Sequence, residues 1–199
     1  MTPMTLRPRP PMTVTELRAR HLRGERMKYL LFRGHRPGAD GSPGPGCLSQ
    51  WWPAAFTVDG VAYRTAEHWM MAEKARLFGD DAALARVLAA DHPRTAKELG
   101  RGVRGFDEAV WRERRFDIVV RGSVHKFAGH PGLRDYLLGT RRRVLVEASP
   151  LDRVWGIGLT ATDERAGDPS RWRGPNLLGF ALMRARDELA AARRAPAGA

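Results

Sequence analysis

The segment TAEHWMMAEKARLF, residues 65–78, combines an apolar helical face with two charged side chains. Glu67, Met71, Lys74 and Phe78 recur at spacings of four, three and four residues, which places them on one side of a helix. The charged pair is separated by roughly 10 Å of axial rise, so it can hold two ends of one ligand but cannot form an ion pair. Alternatively, neither residue binds a ligand: Glu67 interacts with the helix dipole, and Lys74 lies at the rim of the apolar face with its ammonium group in solvent.

A second group of polar residues lies in EASPLDRVWGIGL, residues 147–159. Its acidic side chains are interleaved with the turn-forming Pro150 and Gly156 and with Trp155. A tight turn there places Asp152 and Trp155 at an edge of the fold, where they can contact a ligand. The alternative is a buried tryptophan beside a solvated carboxylate.

Two further signals are an amide and a tryptophan pair. Asn176 precedes the last helical stretch, where it serves either as an N-cap or as a polar ligand. Trp51 and Trp52 are adjacent, and two adjacent indoles cannot both point inward from one element. One of them is therefore a candidate stacking platform.

The charge balance is strongly basic, but it is unevenly distributed. The formal net charge is +12 and the pI is near 11.1, which favours an anionic partner. Residues 1–28 carry a net +5 and the last sixteen residues +2, so the middle of the chain is only modestly basic. Thirty of the 34 basic side chains are arginine, a bias that GC-rich coding explains as easily as anion binding does.

Several classes of protein are disfavoured by composition. No run approaches the roughly 18 apolar residues of a membrane-spanning helix, and the proline-rich start lacks the apolar stretch of a secretory signal. The single cysteine, Cys47, cannot form an internal disulfide, and no His/Cys cluster has zinc-like spacing. We therefore expect a cytoplasmic protein that contacts no membrane and needs no metal or other cofactor, and its oligomeric state cannot be read from the sequence.

These side chains must be positioned by a mainly helical chain with a little β-structure. Asp59-Gly60 predicts a two-residue hairpin turn within 56–63, and Gly122 is a candidate break in a long helical stretch. The expected helices are 13–25, 65–78, 80–90, 93–99, 106–127, 132–138 and 177–191, and the expected strands are 29–32 and 144–147. The expected organisation is a basic, partly disordered arm at 1–28, one domain at 29–191 and a disordered tail at 192–199.

The order of the motifs resembles the NADAR, or YbiA-like, family. The matching segments are CLSQWWPAAF at 47–56, DGVAYRTAEHWMMAEKARLFGD at 59–80, HPRTAKELGR at 92–101, VHKF at 124–127, EASPLDRVWGIGL at 147–159 and WRGPNLLGFALM at 172–183. The resemblance implies an α+β single domain, mainly helical with a small hairpin and short strands. It also implies an enzyme that hydrolyses N-glycosidic bonds between a ribose-type sugar and a base.

The family's chemistry implies roles for particular residues of this chain. Cleavage of a C1′–N bond requires a carboxylate near C1′, a proton source and a positioned water. Glu67 is the first candidate carboxylate, Asp152 is the second, and Lys74 is a phosphate ligand or an imine-forming nucleophile. The other candidate phosphate ligands are Arg101 and Lys126, and Lys28 is a second candidate lysine nucleophile. The candidates for contact with the base are Trp52, Trp155 and Gly156 at its faces and Gln50 and Asn176 at its polar edge.

The resemblance leaves the substrate open. One class is the phosphoribosylamino-pyrimidine intermediates of early riboflavin synthesis, and the other is ADP-ribose attached to guanine in DNA or RNA, for which the basic termini are suited. A non-catalytic ADP-ribose or NAD reader is the third alternative. Two positions depart from the family pattern: Arg33 replaces a common aromatic residue, and Gln50 follows Ser49 where an asparagine is widespread.

Overall fold

The computed structural model describes residues 12–38 and 41–194, and helices dominate this part of the chain. The elements are α1 (Val14–Leu22), β1 (Tyr29–Phe32), a short 3₁₀ helix (Pro45–Leu48), β2 (Phe56–Val58), β3 (Val61–Tyr63), α2 (Ala66–Leu77), α3 (Asp81–Ala89), α4 (Pro93–Arg101), α5 (Glu108–Ala128), α6 (Pro131–Gly139), β4 (Val144–Glu147), two short 3₁₀ helices (Glu164–Gly167 and Pro169–Arg171) and α7 (Leu177–Arg194). The predicted fold class, mainly α with a small hairpin and short strands, is confirmed.

The β2–β3 hairpin leads directly into α2. Asp59 and Gly60 both have positive φ, at 50° and 80°, as the two-residue turn requires. Thr65 then caps α2, since its hydroxyl oxygen accepts a hydrogen bond from the backbone N–H of His68. The predicted hairpin and helix start are confirmed, and they fix the direction in which α2 carries its polar side chains.

The two remaining strands form a parallel pair. Phe32 of β1 lies opposite Glu147 of β4, and the N–H of Ala148 donates to the carbonyl oxygen of Phe32 at 2.9 Å. The strands were predicted individually, but their pairing joins segments that are distant in sequence and left no local signal. The pairing brings Glu147 beside the start of the loop that follows β1.

Helix α5 packs against both α2 and α7 and is continuous through Gly122. A Cβ atom at Gly122 would lie 2.2 Å from Cδ1 of Trp69, so the glycine allows α5 to approach α2 closely. The indole N–H of Trp69 also donates to the carbonyl oxygen of Ile118 at 2.7 Å. The expectation that Gly122 breaks the helix is therefore wrong, because its role is close packing.

The described part of the basic arm includes helix α1, which packs on the domain. Leu17 is 0% exposed, and the guanidinium of Arg18 donates to the carbonyl oxygens of Pro169 and Trp172 at 2.9 and 3.1 Å. Residues 1–11 and 195–199, where disorder was predicted, lie outside the described residues. Helix α7 runs to Arg194, so residues 192–194 of the predicted tail are helical. None of the described helices has the length and apolarity needed to cross a bilayer.

Candidate active site

A cavity of about 910 Å³ opens between α2, α4, the start of α5 and the loop that follows β4. Its walls include Glu67, Met71 and Lys74, so three of the four positions of the predicted α2 stripe face this cavity, whereas Phe78 does not line it. Met70 of the same helix also lines the cavity. Six of the predicted site residues line it: Gln50, Glu67, Lys74, Arg101, Asp152 and Trp155. The fold thus brings most of the predicted site together from segments that are far apart in sequence.

Each of two carboxyl groups in the cavity wall has one buried oxygen atom that lacks a hydrogen-bond partner among the described residues. Glu67 in the first turn of α2 is 3% exposed, and its Oε1 has no partner among the described residues. Glu147 is partly exposed as a residue, but its Oε2 is buried and likewise unpaired. Buried polar atoms are normally hydrogen-bonded, so these two oxygens point to an interaction with a bound ligand or water.

Burial raises the pKa of both carboxyl groups. Removal from solvent raises the pKa of Glu67 to about 7, although nearby Lys97 and a side-chain hydrogen bond from Trp51 lower it. Removal from solvent raises the pKa of Glu147 to about 8, and the charge of Asp152 raises it further. At neutral pH the pair therefore retains a proton, which ordinary carboxylates would release.

Asp152 holds the loop after β4 in shape. Its Oδ1 accepts hydrogen bonds from the backbone N–H groups of Val154 and Trp155 at 2.9 and 2.7 Å, so it fixes the position of the Trp155 indole in the cavity wall. Gly156 does not line the cavity. A Cβ there would lie 2.8 Å from the carbonyl oxygen of Glu147, so this glycine permits the tight loop rather than contacting a ligand.

Lys74 lies at the other end of the α2 stripe, in an aromatic environment. Its Nζ donates to the carbonyl oxygen of Gly100 at 2.8 Å and lies 3.9 Å from the centre of the Phe106 ring. The Trp111 ring is 5.7 Å away. Burial lowers the pKa of Lys74, while the carboxylate of Glu108 opposes that shift. An ammonium with a lowered pKa can serve as a charge or, once deprotonated, as a nucleophile.

Cationic side chains line the cavity near the carboxyl groups. Lys97 and Arg101 are one turn apart on α4, and their charges lower the pKa of Glu67. Arg33 and Arg153 approach from the loops that follow β1 and β4. Arginine and lysine placed together in this way are suited to phosphate oxygens.

Of the adjacent pair Trp51 and Trp52, the one that faces the cavity is Trp51, whereas Trp52 was predicted to do so. Trp52 is buried in the hydrophobic core. Trp51 lines the cavity and packs near His35 and His92, with ring centres 5.8 and 5.9 Å away. The expectation that only one indole of the pair points inward is correct, but the stacking candidate becomes Trp51 in place of Trp52.

Three other predicted ligands also lie away from the cavity. Lys126 is enclosed and donates to the carbonyl oxygens of Cys47 and Ser49, so its ammonium is already bound by the protein. Asn176 is 0% exposed; its Oδ1 accepts from the N–H of Glu147, and its Nδ2 donates to the carbonyl oxygen of Leu145. Lys28 is exposed on the surface and does not line the cavity. Asn176 therefore supports the strand end that carries Glu147 and does not reach a base.

Sequence reasoning missed Glu147, Lys97 and Trp51 as site residues. Glu147 and Lys97 each lie within a segment that had been singled out, but neither residue was chosen. The available signals were the position of Glu147 at the end of a short strand and the spacing of Lys97 one turn before Arg101. The missing information was the parallel β1–β4 pairing, which turns Glu147 toward α2.

Comparison with known proteins agrees with this architecture. The NADAR domain family model matches residues 32–190. N-glycosidase R617 of Acanthamoeba polyphaga mimivirus is 40% identical over 166 residues, which cover 81% of this chain and 96% of that protein. The chloroplastic riboflavin biosynthesis protein PYRR of Zea mays is 36% identical over 140 residues, or 66% of this chain and 20% of that protein.

A solved structure shows the same fold. The solution structure of the E. coli protein YbiA matches with a TM-score of 0.68 at 25% identity, over 87% of this chain and 92% of that one. Residues 32–190, which the family model matches, contain every residue that lines the cavity. The chain therefore belongs to the NADAR domain family and is an enzyme of the N-glycosidase class.

Proposed function

We propose that this enzyme hydrolyses the bond between a phosphorylated ribose and a nitrogenous base, and that its substrate is a phosphoribosylamino-pyrimidine intermediate of riboflavin synthesis. The observation that carries the proposal is the pair of enclosed carboxyl groups, Glu67 and Glu147, whose pKa values are raised to about 7 and 8 beside the cations of α4. The similarity to a relative named for riboflavin biosynthesis supports the substrate class.

The carboxyl pair is suited to acid and base catalysis at neutral pH. When the C1′–N bond lengthens, positive charge develops on the sugar, and an ionised carboxylate nearby stabilises it. We assign Glu67 as this carboxylate and as the base that takes a proton from the attacking water. Glu147, with the higher pKa, gives its proton to the leaving nitrogen while the water oxygen bonds to C1′.

The remaining wall can hold the rest of the substrate. Lys97 and Arg101 are placed for the phosphate, because α4 presents both cations on the side of the carboxyl pair. Trp51 and Trp155 offer flat faces for the base, and the side chain of Gln50 offers an amide to its polar edge. The loop bonded by Asp152 keeps Trp155 in place.

A lysine route to the same products remains a second mechanism. Lys74 lines the cavity and has a lowered pKa, so its neutral amine can attack C1′ of the ring-opened sugar. The C1′–N bond to the aminopyrimidine breaks as the base takes a proton and leaves, and water then hydrolyses the lysine imine to release ribose 5-phosphate and restore the amine. Borohydride added during turnover distinguishes the two routes. A ribosyl adduct on the wild-type enzyme that is absent from Lys74→Met assigns the imine route, and no adduct assigns direct attack by water.

Removal of ADP-ribose from guanine in nucleic acid is the second candidate function. It is favoured by the surface at the cavity mouth, where Leu151 is 92% exposed beside the exposed Arg153. An apolar side chain next to cations suits the flanking nucleotides of a strand. The net charge of +12 also favours a polyanionic partner.

Mass spectrometry of products decides between the two substrates. One enzyme preparation is given a phosphoribosylamino-pyrimidine and an oligonucleotide carrying ADP-ribosyl-guanine. The proposal expects ribose 5-phosphate and free aminopyrimidine to appear, with a rate that changes little with salt. Release of ADP-ribose alone, with a steep fall in rate as salt increases, would assign the second function instead.

A further inference from the structure

The ammonium group of Lys126 is enclosed by the fold but does not line the cavity. Lys126 is 1% exposed, and its Nζ donates to the carbonyl oxygen of Cys47 at 2.7 Å and to that of Ser49 at 2.8 Å. Both carbonyl groups belong to residues 47–52, which we call the 47–52 turn. One buried side chain on α5 therefore holds two points of a turn that is distant in sequence.

The close approach of α5 to α2 makes this reach possible. Gly122 lies against the indole of Trp69, where any larger side chain would collide. Lys126 follows four residues later, on the same face of α5. The helix therefore brings the ammonium group into the space beneath the 47–52 turn.

The 47–52 turn contacts the candidate catalytic carboxyl group in two ways. The carbonyl oxygen of Gln50 accepts a hydrogen bond from the backbone N–H of Glu67 at 3.0 Å. The side chain of Trp51 also interacts with the carboxyl group of Glu67 and lowers its pKa. The hydroxyl of Ser49 accepts from the N–H of Trp51 at 3.1 Å, so the residue held by Lys126 also sets the position of Trp51.

We propose that Lys126 is a positioning residue, which fixes the 47–52 turn and, through Gln50 and Trp51, the orientation of the Glu67 carboxyl group. The catalytic consequence rests on the proposed function, but the positioning itself does not. Loss of the ammonium group removes the shared donor from both carbonyl oxygens. That of Ser49 keeps the N–H of Trp52 at 3.3 Å, whereas that of Cys47 recovers a hydrogen bond only by moving toward water.

A lysine can perform this task in either protonation state. Burial lowers the pKa of Lys126 to about 7, and the neutral amine still carries two N–H groups for its two carbonyl partners. Cys47, in the same turn, is the titratable group that acts on Lys126, and its effect is to raise that pKa. The position therefore requires two donors on a long stem more than it requires a permanent charge.

The test compares Lys126→Met with a matched loss of another buried cation. Arg186 is 3% exposed and donates to the hydroxyl of Thr140 at 2.7 Å and to the carbonyl oxygen of Arg143 at 3.0 Å, and none of these three residues lines the cavity. Arg186→Met therefore controls for the general cost of removing a buried hydrogen-bonded cation.

The decisive readout is the titration of Glu67 in the folded proteins, followed by NMR of a labelled carboxyl carbon. The groups that act on Glu67 are Lys97, Trp51, Asp152 and Arg101, and Glu67 in turn acts on Glu147. Lys126→Met is expected to raise the pKa of Glu67, because the interaction with Trp51 that lowers it is weakened when the turn moves. It should also speed hydrogen exchange at the Glu67 amide, whereas Arg186→Met changes neither.

Activity supplies the third readout. Lys126→Met is expected to lower kcat about tenfold to a hundredfold, with a smaller change in KM, because the carboxyl group is misplaced by a short distance. If Lys126→Met does not fold, Lys126→Leu, which also removes both N–H donors, carries the comparison. A folded variant in which Glu67 titrates and exchanges as in the wild type overturns the proposal. A wild-type enzyme that releases no ribose 5-phosphate overturns the proposed substrate and leaves the titration to decide the role of Lys126.

Discussion

The proposed chemistry of this enzyme depends on a few side chains that are costly to bury. Glu67 and Glu147 each keep one enclosed oxygen without a partner, and their pKa values are raised to about 7 and 8. Such groups reduce the stability of the folded state, so their retention in a cavity wall is typical of a functional site. In the proposed mechanism, the same physical cause, loss of solvent, raises the pKa values that catalysis needs and lowers the stability of the folded state.

Glu147→Gln is expected to stabilise the folded protein increasingly as pH rises from about 4.5 to about 8. In this window the unfolded chain has released the Glu147 proton while the folded chain retains it, so the wild-type unfolding free energy falls with pH. The gain at pH 8 is expected to be about 1 to 4 kcal/mol. Urea unfolding at several pH values measures it, with exposed Glu113→Gln as control. A pH-independent difference would contradict the raised pKa.

At the scale of elements, local signals predicted most of the helices and the hairpin. Thr65, Asp80 and Asp107 cap α2, α3 and α5 with their own side chains, and such signals are present within a few residues. The contacts that build the site are not local. The parallel β1–β4 pair and the bonds from Asn176 to the end of β4 join distant segments, so local signals do not identify Glu147 and do not distinguish a structural role of Asn176 from ligand binding.

Gly122→Ala is expected to destabilise the protein by about 1 to 3 kcal/mol, since the added Cβ would overlap the Trp69 indole and push α5 from α2. Gly139→Ala is the matched control. It also lies in a helix, but its Cβ would meet nothing within 4 Å. The control is expected to be neutral or slightly stabilising. Equal effects in denaturant unfolding would show that close packing at Gly122 is unimportant.

For the whole molecule, the structure assigns part of the positive charge to folding and part to the cavity. Arg18 lies in the basic N-terminal segment, but its guanidinium holds the chain at Pro169 and Trp172, beside the buried Leu17. Part of that charge therefore serves the fold. The cations that line the cavity belong to α2, α4, α5 and the loops after β1 and β4, in the modestly basic middle of the chain.

Two deletions separate these roles. Removal of residues 1–11 is expected to leave the melting temperature and the turnover of a small phosphorylated substrate nearly unchanged. Removal of residues 1–26 is expected to lower the melting temperature by several degrees. The deletion exposes the apolar surface that Leu17 covers, and it removes the Arg18 hydrogen bonds. Thermal unfolding of both variants measures this. Identical melting temperatures would show that α1 adds no stability.

The most direct measurement is the release of ribose 5-phosphate from a phosphoribosylamino-pyrimidine by the wild-type enzyme and by Glu67→Gln. The variant keeps the shape of the side chain but removes the ionisable group from the cavity wall. We expect rapid release by the wild type and a fall in kcat of about a hundredfold or more in the variant, with KM little changed. Equal rates for the two folded proteins would contradict the assignment of Glu67.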